Sequence, residues 1–323
     1  MPPELKSPLP EHPGIIFMGT PDFAVPSLKG LIDGGHNVLA VVTQPDRPKG
    51  RGRNIAASPV KALALKHGIR TLQPEKVSYR GFTDVIKEIA PDLIIVVAFG
   101  QILRKALLDA PEWGVINIHA SLLPKYRGAA PIQRAILNDE PSTGLTIMKM
   151  DEGLDTGPVL YQKKAPVLRD ETAGHLHDRL AGMSGAFLIE FLDAWTGGRI
   201  KETAQESSIA TYAGKIEKEM CRIDWNHEAK VISAQIRALD PAPGAFTVMG
   251  DSHLKLFAST VADETFSSGI PGRVNGNAEG ILRIETGRGI LGVKELQYPG
   301  RKRLHVKDFL MGFNLTEGTI LGK

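Results

Sequence analysis

Apolar residues along the first two-thirds of the chain fall in short continuous runs, set apart by stretches with helical spacing. Residues 15–18 (IIFM), 37–43 (NVLAVVT), 92–98 (DLIIVVA) and 115–118 (VINI) are the runs. Continuous rather than alternating apolar strands predict a sheet buried on both faces, and the helical stretches between them make it largely parallel. Two of those stretches open with a capping residue before proline: Thr20–Pro21, and Ser58–Pro59 over residues 58–67. Proline is suited to the first helical position because its missing N–H would have no partner there. Further helices are expected over 82–90, 101–109, 129–138 and 173–195, a strand over 144–150, and an alternating edge strand over 159–167. Residues 199–208 are polar without periodicity and suggest a linker. Beyond them the pattern changes to short strands divided by glycine and polar turns, as in a small β-barrel or sandwich, with one helix over 228–239 before them.

In a parallel sheet, ligands bind beyond the carboxyl ends of the strands. Thr20, Phe99–Gly100 and the pair Asn117 and His119 fall at such ends. Asn117 and His119 are two apart in a strand and so share a face. An amide donor and an imidazole on one spot suit acyl transfer, in which an oxyanion must be held and a proton moved. The alternative is that both merely satisfy strand-end backbone. Asp155, in GLDTGP, is ordinary turn chemistry or a carboxylate for His119. Ser121, Leu122, Leu123 and Pro124 form either a loop tucked on the core or an apolar wall for a flat ligand.

Composition narrows the classes. The chain has 323 residues, a length that suits two domains, with 42% hydrophobic and 23% charged residues. Net charge is only +3, but QPDRPKGRGR (44–53) concentrates Arg47, Lys49, Arg51 and Arg53 in a basic loop that fits a phosphate backbone. The lone Cys221 excludes an internal disulfide and a multi-cysteine metal site. The glycine fingerprint of a dinucleotide site is missing, as is the GKS or GKT of a phosphate-binding loop. His175 and His177 are spaced wrongly for one helical face, so no metal is expected. No apolar run approaches the ~18 residues of a membrane span, and the proline-rich start has no signal-peptide core; a cytoplasmic protein is expected.

GTPDFA (19–24), QPDRPKGRG (44–52), NIHASLLPKYRGAAPIQ (117–133) and MDEGLDTGP (150–158) resemble the methionyl-tRNA formyltransferase family, in that family's order. TYAGKI (211–216), RIDW (222–225) and PGAFT (243–247) extend the likeness into the second half. The resemblance implies a Rossmann-like, largely parallel α/β sheet with helices on both faces, then a smaller OB-like β-barrel. With the polar linker (199–210) and a flexible, proline-rich lead-in (1–13) that has no counterpart in these motifs, the expected division is a catalytic domain (14–198) and a tRNA-contacting barrel (211–323). The resemblance implies transfer of a formyl group from 10-formyltetrahydrofolate to the amino group of initiator methionyl-tRNA, without a metal; a monomer is the default expectation. Asn117, His119 and Asp155 match the catalytic trio, Ser121 to Pro124 the folate segment, and the basic loop a tRNA contact, with Arg51 weighted most. Ala242 stands where many relatives carry tryptophan. Arg301, Lys302 and Arg303 are either a second tRNA contact or a solvated turn. Competing readings are a folate enzyme acting on a small amine or hydrolysing the formyl group, a non-catalytic tRNA binder, and a nucleotide-dependent oxidoreductase.

Overall fold

The computed structural model describes residue 6 and residues 8–49, 54–266 and 269–322. The chain packs as two compact units. The first holds a seven-stranded sheet built from β1 (Ile15–Gly19), β2 (Val38–Val42), β5 (Thr71–Leu72), β6 (Leu93–Val97), β7 (Val115–His119), β9 (Ser142–Lys149) and β10 (Val159–Pro166). The remaining short strands of this unit are β3 (Arg47–Lys49), β4 (Asn54–Ala56) and β8 (Arg127–Gly128).

The strand order is β10-β9-β7-β6-β1-β2-β5. From β5 to β7 every pairing is parallel, and β9 runs antiparallel to β7. The chain builds outward from β1 through β2 to β5, then returns with β6 on the other side of β1. That reversal makes the carboxyl ends of β1 and β6 the switch point where such sheets form a crevice. Both faces are buried, as the apolar runs predict. Ile16, Met18, Ile94 and Val96 pack in one cluster with Phe82 and Ile86 of α3 (Arg80–Ile89), while Ile15, Phe17, Leu93, Ile95 and Val97 are fully buried as well. β10 lies at the sheet edge but does not alternate: Leu160 and Ala165 are buried, while Gln162, Lys163 and Lys164 between them are all exposed.

The helix starts divide. α2 (Pro59–Lys66) is capped by Ser58, whose hydroxyl accepts from Lys61 N at 3.1 Å. Thr20 is not a helix cap: a 3-10 turn (Asp22–Ala24) intervenes before α1 (Val25–Asp33), and the Thr20 hydroxyl instead accepts from Gln44 N at 3.2 Å. The helix expected over 101–109 shrinks to α4 (Lys105–Leu108). The basic loop is no plain loop, because β3 and β4 pair antiparallel as a ribbon, Arg47 opposite Ala56 and Lys49 opposite Asn54. Its tip, with Arg51 and Arg53, lies outside the described residues.

Two expectations about the ends of the first unit need correction. The described part of the lead-in is docked: Leu9 is buried, and the Lys6 carbonyl accepts from the indole N–H of the fully buried Trp195 at 3.0 Å. One apolar side chain and one indole in need of an acceptor are enough to hold a polar segment. Residues 199–210 are likewise part of the unit. Thr203 exchanges backbone hydrogen bonds with Val159 (2.8 and 2.9 Å), and Glu202 pairs with Lys149 at 3.1 Å.

The second unit includes α5 (Pro131–Leu137) and the bulk of the chain after the short strand β11 (Tyr212–Ala213). It contains α7 (Ala229–Leu239), β12 (Ala245–Met249), β13 (Ser252–Asp263), β14 (Val274–Ala278), β15 (Ile281–Glu285), β16 (Ile290–Gln297), β17 (Leu304–His305) and α8 (Val306–Phe309). The long helix α6 (Ala173–Thr196) precedes them in the chain. The strands form an antiparallel sheet of order β12-β13-β16-β15-β14, with β17 on β16. Its core joins Ile232, Ile236 and Leu239 of α7 to Leu254, Leu256, Ile284 and Val293 of the strands. The chain's final segment links the sheet's outer strands: Val274 N donates to Thr319 O (2.8 Å), and Gly322 N donates to Val248 O (2.8 Å). The sheet edges are thereby covered in the manner of a barrel.

Of the basic triplet, Arg301 and Lys302 are exposed, whereas Arg303 is committed to structure. Its guanidinium donates to both carboxylate oxygens of Asp240 (2.7 and 3.1 Å) and to Glu295, and lies 4.1 Å from the Phe257 ring centre. A second ion pair is more deeply placed. Glu285, 1% exposed, accepts from the Arg273 guanidinium at 2.9 and 3.0 Å, from Asn275 and from Ile270 N. Burial alone would raise its pKa, but these donors outweigh burial and hold the carboxyl below the usual glutamate range. A depressed folded-state pKa contributes stability above the unfolded value and loses it as pH falls through the folded one. The Arg273→Met variant should therefore unfold in urea with about 3 kcal/mol less stability at neutral pH, and the deficit should shrink as pH falls below the glutamate range.

Candidate active site

β7 delivers the first two groups. Its register sets Asn117 beside Val96 and Met148, and His119 beside Thr146. Asn117 and His119 lie on one face by strand periodicity; His119 is buried and Asn117 half-buried. The imidazole is anchored: Nε2 lies 2.9 Å from the carbonyl oxygen of Tyr126. A carbonyl can only accept, so Nε2 carries a hydrogen and donates it. Nδ1 is then the nitrogen left to take or give a proton.

Nδ1 faces Asp155, whose Oδ2 is 3.7 Å away. The same carboxylate oxygen accepts from Gly128 N at 2.8 Å. Asp155 sits at φ +55°, a left-handed conformation that aspartate tolerates better than most residues. The loop bearing it is tightly specified. Asp151 accepts from Gly153 N and the Thr156 hydroxyl (3.0 and 2.7 Å). Gly157 lies so close to the Lys149 carbonyl that a Cβ would sit 1.8 Å from it. The loop's path thus turns two side-chain-free positions and a capping carboxylate into a fixed placement for Asp155.

The segment after His119 is braced from within. The Ser121 hydroxyl is fully buried and donates to Lys125 O at 2.7 Å. The buried Thr146 hydroxyl donates to Ser121 O (2.6 Å) and accepts from Leu123 N (3.1 Å) and Gln162 Nε2 (2.9 Å). Leu123 is buried too, so Leu122 and Pro124 are the ones of this quartet that keep surface. At the end of β6, exposed Ala98 (φ +47°) and Gly100 (φ +81°) flank the buried Phe99. Left-handed alanine costs about 1–2 kcal/mol and persists where surroundings impose it. Here Gln44 Nε2 helps, donating to Phe99 O at 3.1 Å.

Gln44 also begins the path to the basic ribbon. Gln73 Nε2 donates to Gln44 O and to Asp46 Oδ1 (3.0 and 2.8 Å), and Lys61 pairs with Asp46 at 2.5 Å. Those hydrogen bonds hold the Asp46 carboxyl below the ordinary aspartate range. Arg47 follows, exposed at the start of β3.

Several residues at this site carry no sequence signal of their own. Tyr126 contributes a carbonyl, which any residue has. Arg127 is buried, and its Nε donates to Gln205 Oε1 at 3.0 Å. Gln205 lies in the segment expected to be linker. The thiol of Cys221, in the second unit, is buried and pushed up by desolvation, which makes it a poor nucleophile.

Residues 14–192 match the formyl transferase family and residues 215–314 the formyl transferase C-terminal domain. The methionyl-tRNA formyltransferase of Pelobacter propionicus is 49% identical over 308 residues, covering 95% of this chain and 96% of that protein. The chain belongs to the methionyl-tRNA formyltransferase family. The enzyme of that name from Geobacter sulfurreducens is also 49% identical, over 310 residues and 96% of each chain. Among solved structures, HypX from Aquifex aeolicus in complex with tetrahydrofolic acid aligns with a TM-score of 0.64 at 19% identity, covering 93% of this chain and 47% of that one. The sugar 3N-formyl transferase WlaRD aligns with a TM-score of 0.64 at 19% identity, covering 91% of this chain and all of that one. At such identity these two speak for the fold alone. Among the described residues no helix is long and apolar enough to cross a membrane.

Thr146→Val removes a hydroxyl that serves two buried backbone groups, Leu123 N and Ser121 O, and the Gln162 amide, without changing side-chain size. It should cost about 1–3 kcal/mol of stability, read as a lowered thermal midpoint, and speed hydrogen exchange at Leu123 N.

Proposed function

We propose that the chain transfers the formyl group of 10-formyltetrahydrofolate to the free amine of initiator methionyl-tRNA in the cytoplasm, with Asn117, His119 and Asp155 as catalytic residues. The observation that carries the residue roles is the approach of Asp155, from a separate loop, to the one imidazole nitrogen that Tyr126 leaves free. Near-full-length identity to enzymes named for this reaction supports the substrates.

The roles follow from donor and acceptor chemistry. As the amine adds to the formyl carbon, negative charge gathers on the formyl oxygen. The Asn117 amide, which shares a face with His119 by strand periodicity, would be the donor to that oxygen. The adding nitrogen must lose a proton. Nδ1 of His119 can take it, with the Asp155 carboxylate one small shift or one water away to stabilise the charge. Protonated on Nδ1, His119 can donate toward the oxyanion. As the tetrahedral adduct collapses, the bond from the formyl carbon to the folate N10 breaks and the proton taken from the amine passes to N10, so that tetrahydrofolate leaves neutral. For the formyl donor, the residues present fit a flat, partly apolar ring system: Leu122 and Pro124 offer apolar surface, and the exposed backbone around Ala98 and Gly100 offers hydrogen-bonding edges at the switch point. Arg47, Lys49, Arg51 and Arg53 would meet the tRNA phosphates. A small-amine substrate would make no use of those four cations.

The purified chain should formylate charged initiator tRNA with the folate donor; transfer to a sugar nucleotide instead would overturn the assignment. His119→Ala should lower kcat by about 10²–10³ with little change in tRNA KM. Arg51→Ala should do the reverse, raising KM for tRNA and reducing the salt dependence of kcat/KM by about one counterion. Unchanged tRNA kinetics in Arg51→Ala would remove the ribbon from the reading.

A further inference from the structure

Asp155 reaches His119 from a loop that has no strand register to hold it. Its carboxylate is gripped by Gly128 N, and Asp151 and Gly157 set the loop's path, but none of these contacts is made to the Asp155 backbone. A second grip acts on the backbone. Gln205 Nε2 donates to the carbonyl oxygens of both Asp155 (2.9 Å) and Gly157 (2.6 Å). The other end of the same amide, Oε1, accepts from Arg127 Nε at 3.0 Å. Arg127 is itself fixed, being 3% exposed, with its backbone N–H on Thr211 O at 2.9 Å. Its neighbour on one side, Gly128, holds the Asp155 carboxylate, and its neighbour on the other, Tyr126, supplies the carbonyl that anchors His119. Tyr126 N in turn donates to the Thr211 hydroxyl at 2.9 Å.

Residues 126–128 therefore hold both members of the pair: His119 through a carbonyl, and Asp155 directly through Gly128 and at its backbone through Arg127 and Gln205. The bridging side chain needs donors at one end and an acceptor at the other, which among side chains of this length only a primary amide provides. Glutamate would set carboxylate oxygens against the carbonyls of Asp155 and Gly157.

We infer that Gln205 and Arg127 are positioning residues that set the separation of His119 from Asp155, so that one residue of the stretch expected to be linker, Gln205, serves the site. This rests on the proposed roles of His119 and Asp155, and its test has an arm that does not.

Gln205→Met and Gln205→Glu would be compared with wild type and with Glu202→Gln, which breaks the nearby ion pair to Lys149 (3.1 Å) without touching the clamp. Gln205→Met should lower kcat about 10–100-fold with KM for both substrates within about twofold. Gln205→Glu should lose at least as much at neutral pH. Its activity relative to wild type should recover as pH falls toward about 5, where the introduced carboxyl gains a proton to donate; the methionine variant should show no such recovery. Glu202→Gln should leave the kinetics near wild type. Hydrogen exchange of residues 153–157 should accelerate in both Gln205 variants and not in Glu202→Gln. Wild-type kcat in Gln205→Met, a flat ratio across pH for Gln205→Glu, or unchanged exchange in the loop would each refute the clamp. If wild type fails to formylate methionyl-tRNA, the proposed function falls, and the exchange measurement still decides whether Gln205 holds the loop.

Discussion

An imidazole has two nitrogens, and committing one of them decides what the other can do. In this chain the commitment is the bond from His119 Nε2 to the Tyr126 carbonyl. The site is arranged around it. β7 ends where the ring must sit, Tyr126 takes up φ +63° to turn its carbonyl inward, and Thr211 braces the turn through both its hydroxyl and its carbonyl. Without that anchor the ring could adopt either tautomer, and a carboxylate nearby would have no defined nitrogen to address.

The same economy recurs where charge is buried. Glu285 and Asp240 are nearly inaccessible, and each is met by a guanidinium with a planar fork of donors. Arginine suits this because its geometry satisfies two oxygens at once and its hydration is comparatively weak. A lysine at Arg303 would address one oxygen at a time and would lose the stacking on Phe257. The second unit's basic residues thus divide between those that hold the unit together and those, such as Arg301 and Lys302, that remain exposed.

Most of the fold is legible in the sequence because burial on both faces writes continuous apolar runs, and β1, β2, β6 and β7 lie where those runs predict. The strand-end pair Asn117 and His119 follows from the same reasoning. What is not legible depends on distance in space. Nothing local in GLDTGP tells a catalytic carboxylate from a turn former, and the family likeness, rather than spacing, connects Asp155 to His119. Gln205 is less visible still, since it sits in a polar stretch and acts through backbone carbonyls. Thr20 shows the opposite error: a sound capping signature was diverted, because Gln44 N offered its hydroxyl a partner on the neighbouring strand end. The ribbon is not legible in the sequence because proline and glycine exclude a helix without excluding the short cross-strand pairing of Arg47 to Ala56.

The attachment of Asp46 to Lys61 and Gln73 has an electrostatic consequence for the ribbon that follows it. By sequence the run 44–53 carries one acid among its cations, and a mobile carboxylate would fold back on them as an internal counterion. Here that carboxylate is already occupied at the ribbon's root. Lys61, from α2, is the cation that neutralises it, so the exposed Arg47 that follows is spared its nearest acid as a counterion. At physiological ionic strength the field of an exposed cation decays over about 8 Å, so what Asp46 gives up at the root is felt only at short range.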